Sequence, residues 1–209
     1  MKQPVPRVAV PRLTLYLQCL EDLPAGMGRI SSEDLASRAG VNSAKVRKDL
    51  SYLGSYGVRG VGYDAEHLRF QIRRELGLTR EWPLVIVGVG NLGRALANYG
   101  GFHEKGFRVV GIFDDDPNKV GTRVGEHRVE PVAALPDVVR ERQARIGVIA
   151  TPPEEAQLVA EMLAAAGVAA ILNFAPTVVR VPAHVAVRRA DFSTELQVLA
   201  FHLHQGTAG

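Results

Sequence analysis

Three glycines and one acid carry the most specific chemistry in this chain. Gly88-Val89-Gly90-Asn91-Leu92-Gly93 follows directly on an apolar run at 83–87. A G-x-G-x-x-G run alone is weak evidence. Placed after a strand and opening a helix, it forms a turn whose backbone can approach a pyrophosphate. Leu92, Ala95 and Leu96 are then the expected inward face of that helix. A second apolar run, 107–113, ends at Asp114. An acid there can accept bonds from the adenosine ribose hydroxyls and would repel a 2′-phosphate, which favours NAD(H) over NADP(H). Further apolar runs at 146–150 and 169–173 lead into Thr151-Pro152-Pro153 and Asn173-Phe174-Ala175-Pro176. Ligands of open α/β sheets bind beyond such strand ends, so Thr151, Pro152, Asn173 and Phe174 join the candidate site. On these residues alone, a nucleotide-free relic or another ligand such as coenzyme A stays open.

A second constellation is cationic. A helix expected over 43–53 buries Val46, Leu50 and Leu53 at i, i+4, i+7. Its opposite face carries Ala44, Arg47, Lys48 and Ser51 with Tyr52 beside them, and Ser43 and Lys45 extend that surface. Small residues, cations and hydroxyls on one face suit a DNA groove, where cations meet phosphates or guanine edges. A solvated surface helix would look similar. The adjoining segment favours DNA. Residues 54–63 read as a hairpin whose tip carries Arg59 between the glycines Gly57 and Gly60, with Ser55 on the same segment. A lone Arg on such a tip fits a narrow minor groove.

The elements that must hold these residues form two parts. A helix starts near Pro11, with Leu13, Leu17 and Leu20 at helical spacing, and ends by Pro24 and Gly26. Ser31 opens a second helix over Leu35 and Ala39, which Gly40 closes. Only Val41 and Asn42 separate it from the third helix, the helix-turn-helix arrangement. With the hairpin this makes a winged-helix DNA-binding domain at 1–78. Residues 79–192 alternate strands and helices as an α/β Rossmann domain, with further strands at 146–150, 169–173 and 186–189 and a helix at 154–166. A last helix, 193–204 within a terminal segment 193–209, is apolar on more than one side, through Leu196, Val198, Leu199, Phe201 and Leu203. Such a helix needs a second burial surface, and a partner subunit supplies one.

Composition narrows the class. Residues 1–80 hold 13 Lys/Arg against 8 Asp/Glu and the remainder 12 against 14, so only the first part is suited to a polyanion. No run reaches the roughly 18 apolar residues of a membrane span, and the first residues lack a secretory pattern, which points to the cytoplasm. The single cysteine, Cys19, forms no internal disulfide and reads as a small core residue. The six histidines are scattered, so no metal site and no catalytic constellation is expected. Asp114-Asp115-Asp116 reads as a ribose acid within a solvated loop. The rival to a regulator is a small NAD-dependent oxidoreductase, which would need a substrate domain and an acid/base that the chain does not offer.

Taken together, Val46-Arg47-Lys48-Asp49-Leu50-Ser51-Tyr52, residues 54–63, residues 88–93, Phe113-Asp114, Asn173-Phe174-Ala175-Pro176 and Asp191-Phe192 resemble the Rex family of redox-sensing transcriptional repressors. The resemblance covers nearly the whole chain. It implies a homodimer on palindromic operator DNA, released when NADH binds tightly, with NAD+ binding more weakly. It also implies exchange of C-terminal helices between subunits. Phe192 matches a residue near the nicotinamide, and Tyr99 and Asp191 match residues linked to dimer closure. Family members often carry Arg where this chain has Gln18, paired across subunits with the acid matching Asp191. Arg12 is the replacement expected here for that switch contact.

Overall fold

The computed structural model describes residues 4–24, 26–54 and 62–206 and divides into two units, Met1–Arg80 and Glu81–Gly209. The expected boundary after residue 78 falls two residues later.

The first unit contains α1 (Val10–Glu21), β1 (Arg29–Ile30), α2 (Ser32–Ala39), α3 (Ser43–Ser51), β2 (Tyr63–Asp64) and α4 (Ala65–Glu75). Local chemistry sets the helix ends. Pro11 sits in the first turn of α1. The Ser31 side chain accepts from the Asp34 amide at 2.9 Å and the Asn42 side chain from the Lys45 amide at 2.8 Å. Such caps satisfy amides that the first helical turn leaves unpaired. Gly40, at φ +63°, ends α2 in the left-handed conformation that makes the two-residue turn possible. Helix α3 stops two residues before its expected end, yet Leu53 is still buried with Val46 and Leu50. These side chains pack with Leu13, Tyr16, Leu20, Leu35, Leu68 and Ile72 in one core. Cys19 is buried there too.

Strands β1 and β2 pair antiparallel, Ile30 opposite Tyr63. The expected hairpin at 54–63, with Ser55, Arg59 and Gly60, lies mostly outside the described residues. Its described end, Tyr63, pairs with β1.

The second unit is a seven-stranded sheet in the order β5-β6-β4-β3-β7-β8-β9. The strands are β3 (Trp82–Val87), β4 (Phe107–Asp114), β5 (Arg123–Val124), β6 (His127–Pro131), β7 (Ile146–Ile149), β8 (Ala170–Asn173) and β9 (Ala186–Arg189). All pair parallel except β5 with β6. The chain starts at the centre, runs outward through β4 and β6, then returns to β7 beside β3. That reversal is the switch point of a doubly wound sheet. Strand β6 was not expected from the sequence.

Helices α5 (Asn91–Ala97), α6 (Gly101–Glu104), α7 (Leu135–Glu141) and α8 (Pro153–Ala165) connect the strands. Alternation along β3 sends Val85 and Val87 to a core with Val138, Ala156, Val159 and Leu163. Leu84 and Ile86 go to the other face with Ile112 and Val148. The inward face of α5 differs from the expected one. Ala95 is exposed, and Leu92 and Leu96 are only half-buried. Helix α5 meets the sheet through Gly93, where an added Cβ would overlap the Gly88 carbonyl oxygen, so the contact face is Gly93, Leu96 and Ala97.

Helix α9 (Phe192–Gly206) closes the chain. Phe192, Leu196, Val198, Leu199, Phe201 and Leu203 are all exposed on it, as is every residue of β9. Among the described residues, no helix is long and apolar enough to cross a membrane.

Candidate nucleotide pocket and nucleic-acid interface

At the switch point the ends of β3, β4 and β7 open into a cavity of about 270 Å³. Gly88, Gly90, Asp114, Thr151 and Pro152 line it, five residues singled out from the sequence. The backbone explains the glycines. Gly88 has φ +96°, and an added Cβ would lie 2.6 Å from the Ala150 carbonyl. No other residue fits both demands. At Gly90 a Cβ would meet nothing within 4 Å, so its absence leaves the turn open for close approach by a ligand.

Asp114 is only 5% exposed. Its carboxylate accepts the Val89 amide at 2.7 Å and the Asp116 amide at 3.0 Å. The Lys119 ammonium donates to both oxygens, at 3.3 and 3.1 Å. Burial pushes the Asp114 pKa up, but the two amides and Lys119 outweigh it and hold the group below the ordinary carboxylate range. The acid is therefore ionised, anchored to the glycine turn, and set in the pocket wall. Val132, Leu158, Val159 and Met162 supply an apolar wall opposite. Glu155 completes the rim; burial and then Asp115, Glu154 and Asp114 raise its pKa. The Thr151 hydroxyl is buried without a hydrogen-bond partner. Such a group calls for a ligand or ordered water. An apolar slot, a fixed carboxylate, an orphaned hydroxyl and a glycine turn together suit an adenosine with a diphosphate.

Most of the remaining candidates follow the ends of strands, whereas Tyr99 follows the far end of α5. Val89 is buried, while Asn91 is exposed and Leu92 half-buried. The Asn173 side chain is turned inward; it donates to the Thr177 carbonyl at 2.8 Å and accepts the Ala175 amide at 2.9 Å. It shapes the loop that presents Phe174. The Phe174 and Phe192 rings lie 6.1 Å apart. Tyr99 is exposed and packs edge-on against Phe102 at 5.2 Å. Among the described residues no group of three or more His, Cys, Asp or Glu could hold a metal.

In the first unit, α3 exposes Ala44, Lys45, Arg47, Lys48 and Ser51, with Ser43 and Tyr52 half-buried. The expected reading face is thus continuous. Arg47 is engaged within the chain, donating to Ser32 at 3.0 Å and to Glu33 at 2.9 Å. The Ser51 hydroxyl bonds back to the Lys48 carbonyl at 2.7 Å. Beneath this face is a buried cluster that sequence reasoning missed. Asp49, 2% exposed, receives two bonds from the Arg12 guanidinium, at 2.6 and 2.7 Å, and one from Tyr16 at 3.0 Å. Burial and the Asp49 charge push the Tyr16 phenol up to about 12. Arg12, expected as the switch contact for Asp191, pairs with Asp49 within its own unit. Asp191 itself pairs with Arg189 and accepts the Ser193 amide at 3.0 Å at the start of α9.

Lys119, Glu155, Val132, Leu158 and Met162 were also missed. The apolar run through α8 was a usable signal for the last two, since a helix starting at a ligand loop turns one flank to the strand ends.

The fold and the two sites define a class: a helix-turn-helix unit joined to a dinucleotide-binding Rossmann unit in one chain. Residues 4–51 match the family described as putative DNA-binding protein N-terminus. Residues 79–177 match the family described as CoA binding domain. The redox-sensing transcriptional repressor Rex of Streptomyces griseus subsp. griseus is 57% identical over 199 residues, covering 95% of this chain and 79% of the relative. RSP, a Rex-family repressor, has been solved with β-NAD+ and operator DNA. That structure is 34% identical, with TM-score 0.91, covering 99% of this chain and 96% of RSP. RSP solved with β-NADH is 33% identical, with TM-score 0.90 and coverage of 99% and 98%. The chain belongs to the Rex family of redox-sensing transcriptional repressors.

Proposed function

We propose that this chain is a repressor that binds palindromic operator DNA as a homodimer and is released when NADH occupies the pocket at the switch point. The observation that carries the reading is Asp114, buried, ionised and bonded to the glycine turn through the Val89 amide. A carboxylate so placed accepts the free 2′ and 3′ hydroxyls of an NAD(H) adenosine. It opposes the 2′-phosphate of NADP(H) and the 3′-phosphate of coenzyme A alike, which argues against the coenzyme A reading despite the family description of residues 79–177.

Gly88, Val89, Gly90, Asn91, Leu92 and Gly93 would approach the diphosphate, and Thr151 and Pro152 the same end of the cavity. Asn173, Phe174 and Phe192 would flank the nicotinamide. NADH has a neutral ring there and NAD+ a cationic one. Apolar neighbours such as Phe174 and Phe192 favour the neutral ring, because burying an unpaired charge is costly. Ser43, Ala44, Lys45, Arg47, Lys48, Ser51 and Tyr52 would meet the major groove, and Ser55, Arg59 and Gly60 the minor groove. Helix α9 and β9, exposed along their whole length, support assembly with a second copy. Tyr99 and Asp191 would act at that junction; Arg12 could join them only by leaving Asp49. The chain senses its cofactor and does not turn it over, and it works in the cytoplasm with the DNA.

The test is the anisotropy of a labelled palindromic duplex titrated with protein, alone and with NADH, NAD+, NADPH or coenzyme A. Release by NADH at concentrations where the other three leave the complex intact is the expected result. Release by coenzyme A, or indifference to NADH, overturns the reading. Light scattering on the parent and Leu199→Glu reads the assembly: a dimer and a monomer are expected.

A further inference from the structure

Among the described residues that line the pocket one is a cation, Lys119, and it sits on Asp114. Lys119 reaches both oxygens of Asp114 at 3.1 and 3.3 Å and stands 3.9 Å from Asp116. The lysine side chain is 34% exposed and the Asp114 side chain 6%, so the ammonium is the outer member of the pair. A fold-back of the chain sets it there, the Lys119 and Val120 amides both bonding to the Asp116 carbonyl. Two backbone amides fix the carboxylate from within. Asp115 and Glu155 line the cavity around the pair, so negative charge dominates the rim.

We propose that Lys119 is a specificity-determining residue: a latent ligand for a phosphate on the adenosine ribose, masked by Asp114. The proposal rests on the nucleotide reading of the pocket and deepens it. An ammonium carries three donors and no acceptor, and it binds phosphate as a point charge. At this position two of its donors are directed at Asp114, so a ribose phosphate would have to displace a fixed carboxylate to reach it. Rejection of NADP(H) then has two parts. Asp114 repels the phosphate, and it also occupies the cation that would otherwise hold it. If repulsion alone were at work, removing the acid would narrow the preference and Lys119 would have no part in the result.

A double-mutant cycle separates the two, with NADH and NADPH dissociation constants measured by nicotinamide fluorescence for the parent, Asp114→Asn, Lys119→Met and the double variant. Asp114→Asn should bind NADPH at least about tenfold more tightly than the parent, by freeing the ammonium. Adding Lys119→Met should reverse most of that gain while shifting NADH less than about threefold from Asp114→Asn. Adding Lys119→Arg in place of Met should preserve it. Lys119→Met in the parent, which leaves Asp114 in place and covers a failure of Asp114→Asn to fold, should widen the NADH preference severalfold, because the Asp114 charge is then left uncompensated against the phosphate. A double variant that holds NADPH as well as Asp114→Asn overturns the proposal, as does a Lys119→Met that weakens both cofactors equally. A parent that binds neither NADH nor NADPH removes the nucleotide reading, and this proposal with it. A parent that binds NADH, with no NADPH gain in Asp114→Asn, removes this proposal alone.

Discussion

Asp49 and Asp114 are nearly equally buried, at 2% and 5% exposure, and each holds a cation. Their surroundings differ in one respect. Asp49, on α3, is enclosed by Arg12 and Tyr16 from α1 and by the core of the first unit. Asp114 is anchored by backbone amides and by a lysine that is one-third exposed, with a cavity in front of it. Burial and pairing do not by themselves mark a functional acid. An open volume on one side of it does. Asp49 ties α3 to α1; in the function proposed above it positions Arg47 and Lys48 for DNA, and Asp114 addresses the ligand directly.

Removing each acid should therefore damage a different property. Asp49→Ala is expected to have the largest effect. It leaves the Tyr16 hydroxyl buried without its partner, while Arg12, 27% exposed, can turn to water. The expected cost is about 3 kcal/mol, the low end for breaking a buried pair, read as a fall in the thermal midpoint of the first unit. Operator affinity should collapse with it while NADH affinity stays within about threefold. An Asp49→Ala protein that loses NADH and keeps operator DNA would invert the comparison. Asp114→Ala should do the opposite. Losing charge-assisted bonds to two ribose hydroxyls should weaken NADH on the order of 100-fold, with DNA binding in the absence of nucleotide unchanged. A smaller effect, about tenfold on NADH, is expected from Thr151→Val, which keeps the side-chain volume and removes a buried hydroxyl that has no partner. If NADH affinity is unmoved there, Thr151 lies outside the contact surface.

The two sites were not equally legible in the sequence. The glycine turn and Asp114 are local: one run of residues, a strand before and a helix after, and geometry that only glycine meets. Lys119 was hidden because its position depends on a turn that folds back over the acid, and no local pattern marks it. Strand β6 escaped because only Val129 of its five residues is buried. Helix α4 escaped because charges surround its three buried apolar residues, Ala65, Leu68 and Ile72. The Arg12–Asp49 pair spans 37 residues, and no local pattern joins them. Yet one clue was present. Asp49 falls at i+3 from Val46 and directly before Leu50, on the face expected to be apolar, and an acid on a buried face demands a cation. The face of α5 was misjudged because the glycine, counted only for the ligand, is also the point of contact with the sheet.

The last comparison divides the units by pH. Tyr16 is fully buried, and its phenol is pushed from 10 up to about 12. A raised folded-state value means that its stabilisation is complete below pH 10 and is lost as pH climbs towards 12. Burial also raises Tyr63 and Cys19, both in the first unit. In the second unit the resolved carboxylate shifts at Asp114 and Asp191 are downward, so their contribution disappears only in acid. A tenfold change in a proton equilibrium is worth roughly 1.4 kcal/mol, so the first unit should lose up to about 3 kcal/mol as the phenol ionises, while the second is spared. Trp82, the only tryptophan, begins β3 and reports on the second unit. Helical circular dichroism reports on the first as well. In an alkaline titration with mild urea, the helical signal should start to fall before the Trp82 emission moves. Tyr16→Phe should shrink that gap, because it removes the titrating hydroxyl at a cost of about 1 kcal/mol at neutral pH. Coincident transitions in the parent protein would show that the two units unfold as one and that the buried phenol does not set the alkaline limit.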